Sequence, residues 1–439
     1  MSPPGKSGEP PRVGVLSLHN SKETKAILNA IESLGHEPVW LRDENIRVNI
    51  NARGPEFNPP VDIVVNRLLL STAQNPLEGL GLAYAYRCAV PVLNDPTAVG
   101  RALNKIAIAS ILAANGVPVP DSLCTVSHRL LNRHRSTFEQ SAVYKTSIGT
   151  HGEAMRRVDP SRPIDPWFGA QQMFLQQFIH EQEGEHRDRR VYVVGDRVIG
   201  AMDRYAPDDD WRTNIARGGE PVDVSAELST EVAELAVRAV DVLKLDYAGV
   251  DLIHDGENWF VLEVNPTAGF KGLFEATGVS AAPHIAKLAL DRIGDPIPGS
   301  AVTALEPTLD DTIPDCKPVL EERTDPLTIG FTEQVVVSGH DGGTRVAAKA
   351  DTGADRTSLD FDLAAAVGAG PITDTVSVRS SGTQERQRRP VVEVVIGIRG
   401  EMYQIEADLE DRNHMDYQLL LGRDVLTDYA IDMAQRVEE

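Results

Sequence analysis

Three cysteines in 439 residues, at positions 88, 124 and 316, are odd in number and far apart. That spacing speaks against a disulfide framework and against a cysteine-rich zinc site. Lysine is nearly as scarce, supplying ten of the 43 basic residues. No apolar run approaches the ~20 residues of a membrane-spanning helix. The first residues, MSPPGKSGEPPRVGVLSL, pass straight into a strand pattern, so neither a signal nor a transit peptide is expected and a cytoplasmic location is. Positive charge is the largest deficit: 43 bases against 65 acids give a formal charge of −22. Such a surface repels nucleic acid and anionic membranes, and neither is expected as a partner. An acid excess with arginine in place of lysine also suits a high-salt cytoplasm, where the screening length shrinks to about 3 Å at 1 M. The alternatives are a halophilic source and an ordinary acidic soluble enzyme.

What is present supports about three domains, with 41% hydrophobic residues to fill their cores. Residues 12–97 alternate strand and helix: Arg12 to Leu18, an amphipathic stretch from Lys22 to Leu34, Val39 to Leu41, a buried run Asp62 to Arg67, a helix around Leu77 to Arg87, and Val90 to Asn94. This reads as a parallel α/β domain, with Arg67 at a strand's carboxyl end, where open α/β sheets bind ligands. Residues 98–294 form the next domain. It opens with a helix from about Ala98 to Asn115 carrying Lys105 and includes a long helix from Thr230 to Leu243. Residues 295–325 hold five prolines, eight acids and two bases without periodicity and read as a linker. Residues 326–439 are short β-branched segments between glycine-rich turns, a small all-β domain.

The most informative segment runs from Asp251 to Asn265, two alternating strands about an Asp255-Gly256 turn. Glu263 and Asn265 are two apart and share a face. Asp251 joins that face only if the turn holds an odd number of residues. Two carboxylates and an amide oxygen suit Mg²⁺, with Mn²⁺ as an alternative, but are too few without phosphate oxygens and water, so a nucleotide is implied. The competing reading is an amphipathic hairpin with solvated acids. Upstream lie Lys145 at a strand end, Thr150 to Gly152, Gln177, Phe178 and Ile179, Asp188 among arginines, and Arg212-Thr213-Asn214 before Arg217. Arg190, Arg204, Arg212 and Arg217 offer bidentate forks to carboxylate and phosphate.

In order and spacing these motifs resemble the ATP-grasp ligases, most closely the RimK-like amino-acid ligases, from about Arg12 to Gly294. The resemblance implies a clamp of two antiparallel sheets that binds ATP and joins a carboxylate to an amine through an acyl phosphate. It implies that Lys145 touches the α/β-phosphates, that Gln177 and Ile179 flank the adenine, and that Asp188 lies near the ribose. Arg212, Thr213 and Asn214 would belong to the nucleotide site, Arg190, Arg204 and Arg217 to the reacting groups. Asp251, Glu263 and Asn265 would hold Mg²⁺. Many members have an acid where Gln177 stands, which leaves contact to the base through the main chain. Lys105 either reaches the phosphates, as in that family, or is a solvated helix lysine. The family mostly adds glutamate, to a protein C-terminus or to the tail of a small coenzyme, so glutamate or a related amino acid and a carboxylate acceptor are the implied substrates.

Two further signals carry no chemistry. Gly5-Lys6-Ser7 has no preceding strand and cannot form a P-loop, and His180 and His186 are six apart, off the four-residue spacing of a helical zinc site.

In the last domain, Ala350 to Thr357 and Leu419 to Leu426 resemble the two signatures of retropepsin-type aspartic proteases, 71 residues apart from Asp351 to Gly422. Asn413-His414-Met415 resembles a local pattern of the retropepsin-like domains described as ATP-dependent zinc proteases, although His414 has no second histidine or cysteine nearby. Aspartic proteases need two carboxylates sharing a proton. One Asp351 per chain therefore implies a homo-oligomer if the domain is a peptidase, and a docking or dimerisation barrel otherwise. The fold expected is thus an α/β plus α+β ATP-grasp ligase followed by a small all-β retropepsin-like barrel. The function expected is amino-acid ligation with a fused peptidase-like domain. The alternative is a peptidase for glutamylated products with a regulatory ATP-grasp part.

Overall fold

Four short apolar segments pair as a parallel sheet at the start of the chain, and their carboxyl ends face the later elements. A computed structural model describes residues 10–437 except 72, 74, 139–140, 149–154, 166–171, 180–185, 208–210, 214–220, 319–325 and 380–385. The chain divides into two compact units, Met1–Leu320 and Glu321–Glu439. No single described helix is long and apolar enough to cross a membrane.

The first unit begins with β1 (Arg12–Leu16), α1 (Lys22–Ser33), β2 (Glu37–Leu41), β3 (Arg47–Asn51), β4 (Gly54–Asn58), β5 (Ile63–Asn66), α2 (Pro76–Arg87) and β6 (Val92–Leu93). The sheet order is β2-β1-β5-β6, all parallel, while β3 and β4 form a separate hairpin that the sequence reading did not include. Ser21 caps α1 by accepting from the Thr24 N–H, and Ile27, Ala30 and Ile31 face the core. Next come α3 (Pro96–Ala102) and α4 (Lys105–Ala114), bent by 100° at their junction. The expected single helix from Ala98 is therefore two. The Asn104 side chain accepts from the Ile106 and Ala107 N–H groups and starts a second helix with Lys105 as its first residue.

Two antiparallel sheets follow. The first contains β7 (Ser122–Thr125), β8 (Ala142–Lys145), β9 (Met155–Val158) and β10 (Met173–Gln177), with α5 (His128–His134) between β7 and β8; its order is β7-β10-β8-β9. The second contains β11 (Arg187–Val194), β12 (Arg197–Tyr205), β13 (Pro221–Asp223), β14 (Tyr247–His254) and β15 (Trp259–Asn265), ordered β13-β12-β11-β14-β15. Helix α6 (Thr230–Leu243) covers one face, packing Val232, Ala236, Ala239 and Val240 among Val191, Val193, Val250 and Leu252. Each of these buried valines and the leucine contributes roughly 1.5–3 kcal/mol. On the other face α7 (Lys271–Thr277), α8 (Ala282–Arg292) and α9 (Gly299–Leu305) join α1 and the first sheet in one core.

Helix α9 lies inside the stretch read as a linker. Val302 is buried there, Cys316 packs against the same core, and Asn29 donates to the Asp310 and Thr312 carbonyls at 3.0 and 3.1 Å. Residues 295–318 are thus largely part of the first unit. A few apolar residues anchor them, too sparse to show as periodicity.

In the second unit β16 (Leu327–Gly330) pairs with the last strand, and β17 (Thr332–Gly339), β18 (Gly342–Ala350), β19 (Ser358–Asp360), α10 (Phe361–Val367), β20 (Ile372–Arg379), β21 (Arg386–Ile398), β22 (Glu401–Glu410), β23 (Leu419–Leu421), α11 (Arg423–Leu426) and β24 (Tyr429–Asp432) follow. Six strands, in the order β17-β18-β23-β19-β22-β21, close into a barrel through the β17–β21 pairing, and β20 lies outside on β21. Closure removes the sheet edges.

Candidate active site

The site is a ladder across one face of the second antiparallel sheet. Arg190 on β11 is directly opposite Asp251 on β14, and Asp251 is opposite Glu263 on β15. The turn between β14 and β15, residues 255–258, has an even number of residues, which alone would point Asp251 to the wrong face. A bulge in the β14–β15 pairing between Asp251 and Leu252 shifts the register by one and restores it. One step along, Tyr192, Gly249 and Asn265 line up; one step the other way, Asp188 faces Arg204. Gly249 is required here because a Cβ would stand 2.8 Å from the Ala268 Cβ, in the loop that follows Asn265.

Asp251 is 5% exposed. It accepts from Arg190 Nε and Nη2 at 2.6 Å each, and Arg204 Nη2 lies 3.2 Å from its Oδ2. Arg204 also forks onto Asp188 at 2.7 and 2.5 Å, so acids and arginines alternate in a buried chain. Burial pushes the Asp251 carboxyl up, but Arg190 and Arg204 hold it below its ordinary value. For Asp188 burial prevails over Arg204, and its value is raised.

Lys145 ends β8 with its ammonium 2.7 Å from Gln176 Oε1. Desolvation lowers its pKa to about 8; Glu263 and Asp251 oppose the shift and Lys105 adds to it. Lys105, placed by the Asn104 cap, lies 3.4 Å from Glu263 Oε1, so it is not the solvated helix lysine that was the alternative. Gln176, rather than the exposed Gln177, is the buried glutamine of this strand; its Nε2 donates to Ser122 Oγ at 3.3 Å. Alternation does not separate the two glutamines, since Leu175, on the same side of the strand as Gln177, is itself fully buried in the core. The Gln177 N–H donates to the Asp121 carbonyl and the Phe178 N–H to the Ser141 carbonyl, leaving the main chain at Ile179 as the candidate for base contact. The Phe178 ring lies under the Arg157 guanidinium at 4.1 Å and meets the rings of His186 and Trp211 edge-on at 5.5 Å. His186 is thereby an aromatic neighbour. Thr213 hydrogen-bonds Asp188, which brings the Arg212-Thr213 segment to the ladder.

Of the expected site residues, Lys105, Lys145, Asp188, Arg190, Arg204, Thr213, Asp251, Glu263 and Asn265 converge on this face. Asn214 and Arg217, with Thr150 to Gly152, His180, Glu181 and Gly5 to Ser7, lie outside the described residues. Tyr192, on the same strand face as Asp188 and Arg190, escaped the sequence reading.

The donor set fits a hard divalent cation. Asp251 and Glu263 are paired across the strands, Asn265 is on the same face, and their carboxylate and amide oxygens are hard ligands. Among the described residues no group of three or more His, Cys, Asp or Glu side chains forms a metal site, so an ion here would need phosphate and water to complete its shell.

In the second unit the two motifs meet. Asp351 follows β18 with its N–H on the Leu421 carbonyl and its Oδ1 accepting from the Gly353 N–H at 3.0 Å. Arg423 pairs with Asp355 and donates to the Thr352 carbonyl at 3.2 Å, and Asp424 accepts from the Thr357 hydroxyl and N–H at 2.8 and 2.9 Å. Gly422 is needed because a Cβ would lie 2.3 Å from the Arg356 carbonyl carbon.

Comparison with known proteins agrees with both halves. Residues 102–289 match the model of the RimK-like ATP-grasp domain, and residues 362–437 match that of the retropepsin-like aspartic endopeptidase RimB, a match that begins after Asp351. The tetrahydromethanopterin:alpha-L-glutamate ligase of Methanocaldococcus jannaschii is 35% identical over 204 residues, 45% of this chain and 69% of that protein. The probable alpha-L-glutamate ligase 2 of Hahella chejuensis is 31% identical over 291 residues, 62% and 93% of the respective chains. The ATP-grasp ligase PsnB, solved with a phosphomimetic variant of its minimal precursor, Mg and ADP, shares the fold with a TM-score of 0.52 at 20% identity, covering 64% of this chain and 98% of that one. Fold and site together define an ATP-grasp ligase, an enzyme that drives carbon–nitrogen bond formation with ATP. The chain belongs to the RimK-like ATP-grasp ligases and carries a retropepsin-like barrel at its C-terminal end.

Proposed function

We propose that this protein adds glutamate, or a closely related amino acid, to a carboxylate acceptor, either a protein C-terminus or the acidic tail of a small coenzyme. The observation that carries this reading is the register of β11, β14 and β15, which collects Arg190, Asp251, Glu263 and Asn265 on one face beside Lys105 and Lys145. The relatives named as glutamate ligases supply the amino acid.

An acceptor carboxylate oxygen attacks the γ-phosphorus of ATP as the bond to the bridging oxygen breaks and ADP leaves. The amine nitrogen of the amino acid then attacks the acyl carbon, phosphate departs, and the amine proton passes to solvent. The first step brings two anions together, so Arg190, Arg204 and Lys145 act by lowering their repulsion, and positioning does the rest. Asp251, Glu263 and Asn265 would hold Mg²⁺, or Mn²⁺, which neutralises phosphate charge when bound. Asp188, Arg212, Thr213 and the main chain near Ile179 serve the nucleoside. Arg217 and Asn214 keep the roles their motif implies.

The barrel is proposed to trim or recognise the glutamylated product, as a homo-oligomer if Asp351 is to find its partner carboxylate. A cytoplasmic site of action and a high-salt source complete the reading. Glutamate-dependent ADP release, with the product mass raised by whole glutamyl residues, tests it. Peptide cleavage without ATP and no glutamate-dependent ADP release would favour the peptidase alternative.

A further inference from the structure

Arg67 follows β5 at the carboxyl edge of the parallel sheet and is 2% exposed. Its Nη1 donates to the Ala268 carbonyl at 3.3 Å, and its Nε has no hydrogen-bond partner among the described residues. No carboxylate pairs with it among them. A guanidinium presents five donors in a rigid fork, and burying one without an anion is costly. Such an arrangement is explained when the anion arrives with a ligand.

The surroundings point the same way. Tyr247, next on the ladder after Gly249, gives its hydroxyl hydrogen to the Asn66 carbonyl at 2.7 Å, beside Arg67. Tyr192 is close enough to Arg190 and Asp251, and also to Arg67 and Glu23, to feel the charge of all four. Tyr192 and Arg190 are two residues apart, about 7 Å along the strand, the span of a small amino acid. His19, after β1, faces both Arg67 and Glu23, and burial together with the Arg67 charge lowers its pKa, which favours a neutral ring. Glu23 is fixed at the same place, its Oε1 accepting from the Lys271 N–H at 3.3 Å and lying where a Cβ on Gly269 would touch it. The phosphate charges have their own partners on the ladder, in Lys105, Lys145, Arg190 and Arg204. Arg67 is left for a different anion.

We propose that Arg67, with His19 and Glu23, forms the subsite for the amino-acid substrate, Arg67 receiving one of its carboxylates and Glu23 facing its amine. This rests on the ligase reading above and assigns the substrate's place within it. The subsite belongs to the parallel domain, apart from the nucleotide residues.

The test is steady-state ligation by the intact protein with L-glutamate, using Arg67→Met, which keeps much of the stem, and Arg67→Lys, which keeps the charge but not the fork. A hydrogen-bonded charge predicts a glutamate KM raised about tenfold to a hundredfold in Arg67→Met. Arg67→Lys should fall between it and the wild type. The Kd for ATP should stay within about twofold, and the melting temperature should not drop, since an unpaired buried charge has been removed. The wild type should discriminate against either L-glutamine or isoglutamine, each lacking one carboxylate, by a factor that Arg67→Met no longer shows. Unchanged glutamate KM with intact ATP binding, a raised KM for the acceptor alone, equal use of both amides by the wild type, or a variant that loses ATP binding and stability together would each overturn the assignment. Absence of any glutamate-dependent ADP release by the wild type would overturn the proposed function and this subsite with it. Wild-type turnover beside an unaffected Arg67→Met would overturn the subsite alone.

Discussion

Asp251→Asn and Glu263→Gln should abolish ligation alike and differ sharply in stability. Each removes one ionised oxygen donor from the proposed metal set and keeps the side chain's shape. The carboxylate of Asp251, however, is buried and shared by Arg190 at 2.6 Å and Arg204 at 3.2 Å. Neutralising it leaves two buried guanidinium groups with Asp188 as their remaining acid in the chain. Breaking a buried pair by removing one partner costs about 3–5 kcal/mol. For a unit of this size, at about 2 °C per kcal/mol, the melting temperature should fall by roughly 6–10 °C. Glu263 is half-buried and its ion pair among the described residues is with Lys105 at 3.4 Å, an interaction of the kind worth about 0–1 kcal/mol, so Glu263→Gln should melt within about 2 °C of the wild type. The assays are calorimetric melting of the intact chain and ADP release at saturating Mg²⁺. Near-normal turnover in both variants would refute the metal assignment. An Asp251→Asn protein as stable as the wild type would refute the buried charge chain.

Three more outcomes follow from the same structure. Lys145 has a folded pKa lowered to about 8 from 10.5, so the unfolded chain binds more protons between those values and stability should rise as pH climbs through that window; Lys145→Met should remove this rise and weaken ATP binding at pH 7, and titration calorimetry showing unchanged affinity would exclude a phosphate role. Because 65 acids face 43 bases, the melting temperature should increase from 0.1 M toward molar KCl by more than screening gives an ordinary protein, and indifference to salt would remove the high-salt explanation. In the barrel, Asp351→Asn should abolish any cleavage of glutamate-tailed products and leave ligation unchanged, and a peptidase form should be a dimer with the two Asp351 carboxylates in contact; cleavage that survives the substitution would leave a binding domain.

Much of this protein is determined by local pattern. Alternation placed the strands around Val191, Val250 and Val261, capping residues such as Ser21 and Ser229 started α1 and α6, and β-branched runs between glycines marked the barrel. Residue chemistry in fixed order identified the site's members, because ligands and phosphate-binding cations must be of particular types wherever the chain puts them. Other features depend on contacts between distant segments and have no local signal. The bulge beside Asp251 changes a face by one residue, and nothing between 251 and 265 announces it, since it arises in the pairing of β15 with β14 while β14 keeps an unbroken register with β11. Gln176 is distinguished from Gln177 by the contacts of its side chain with Lys145 on β8 and Ser122 on β7. Helix α9 sits in a composition that reads as linker and is ordered by α1 and α8 beneath it. Arg67 was legible as the end of a strand, but its Nε without a hydrogen-bond partner among the described residues, its charge neighbours His19 and Glu23, and its nearness to Tyr192 arise only in the folded chain. Short-range sterics and solvation choose the elements. The pairing free energy of surfaces far apart in sequence decides which charges share a face and which, like Arg67, are buried with no carboxylate paired to them among the described residues.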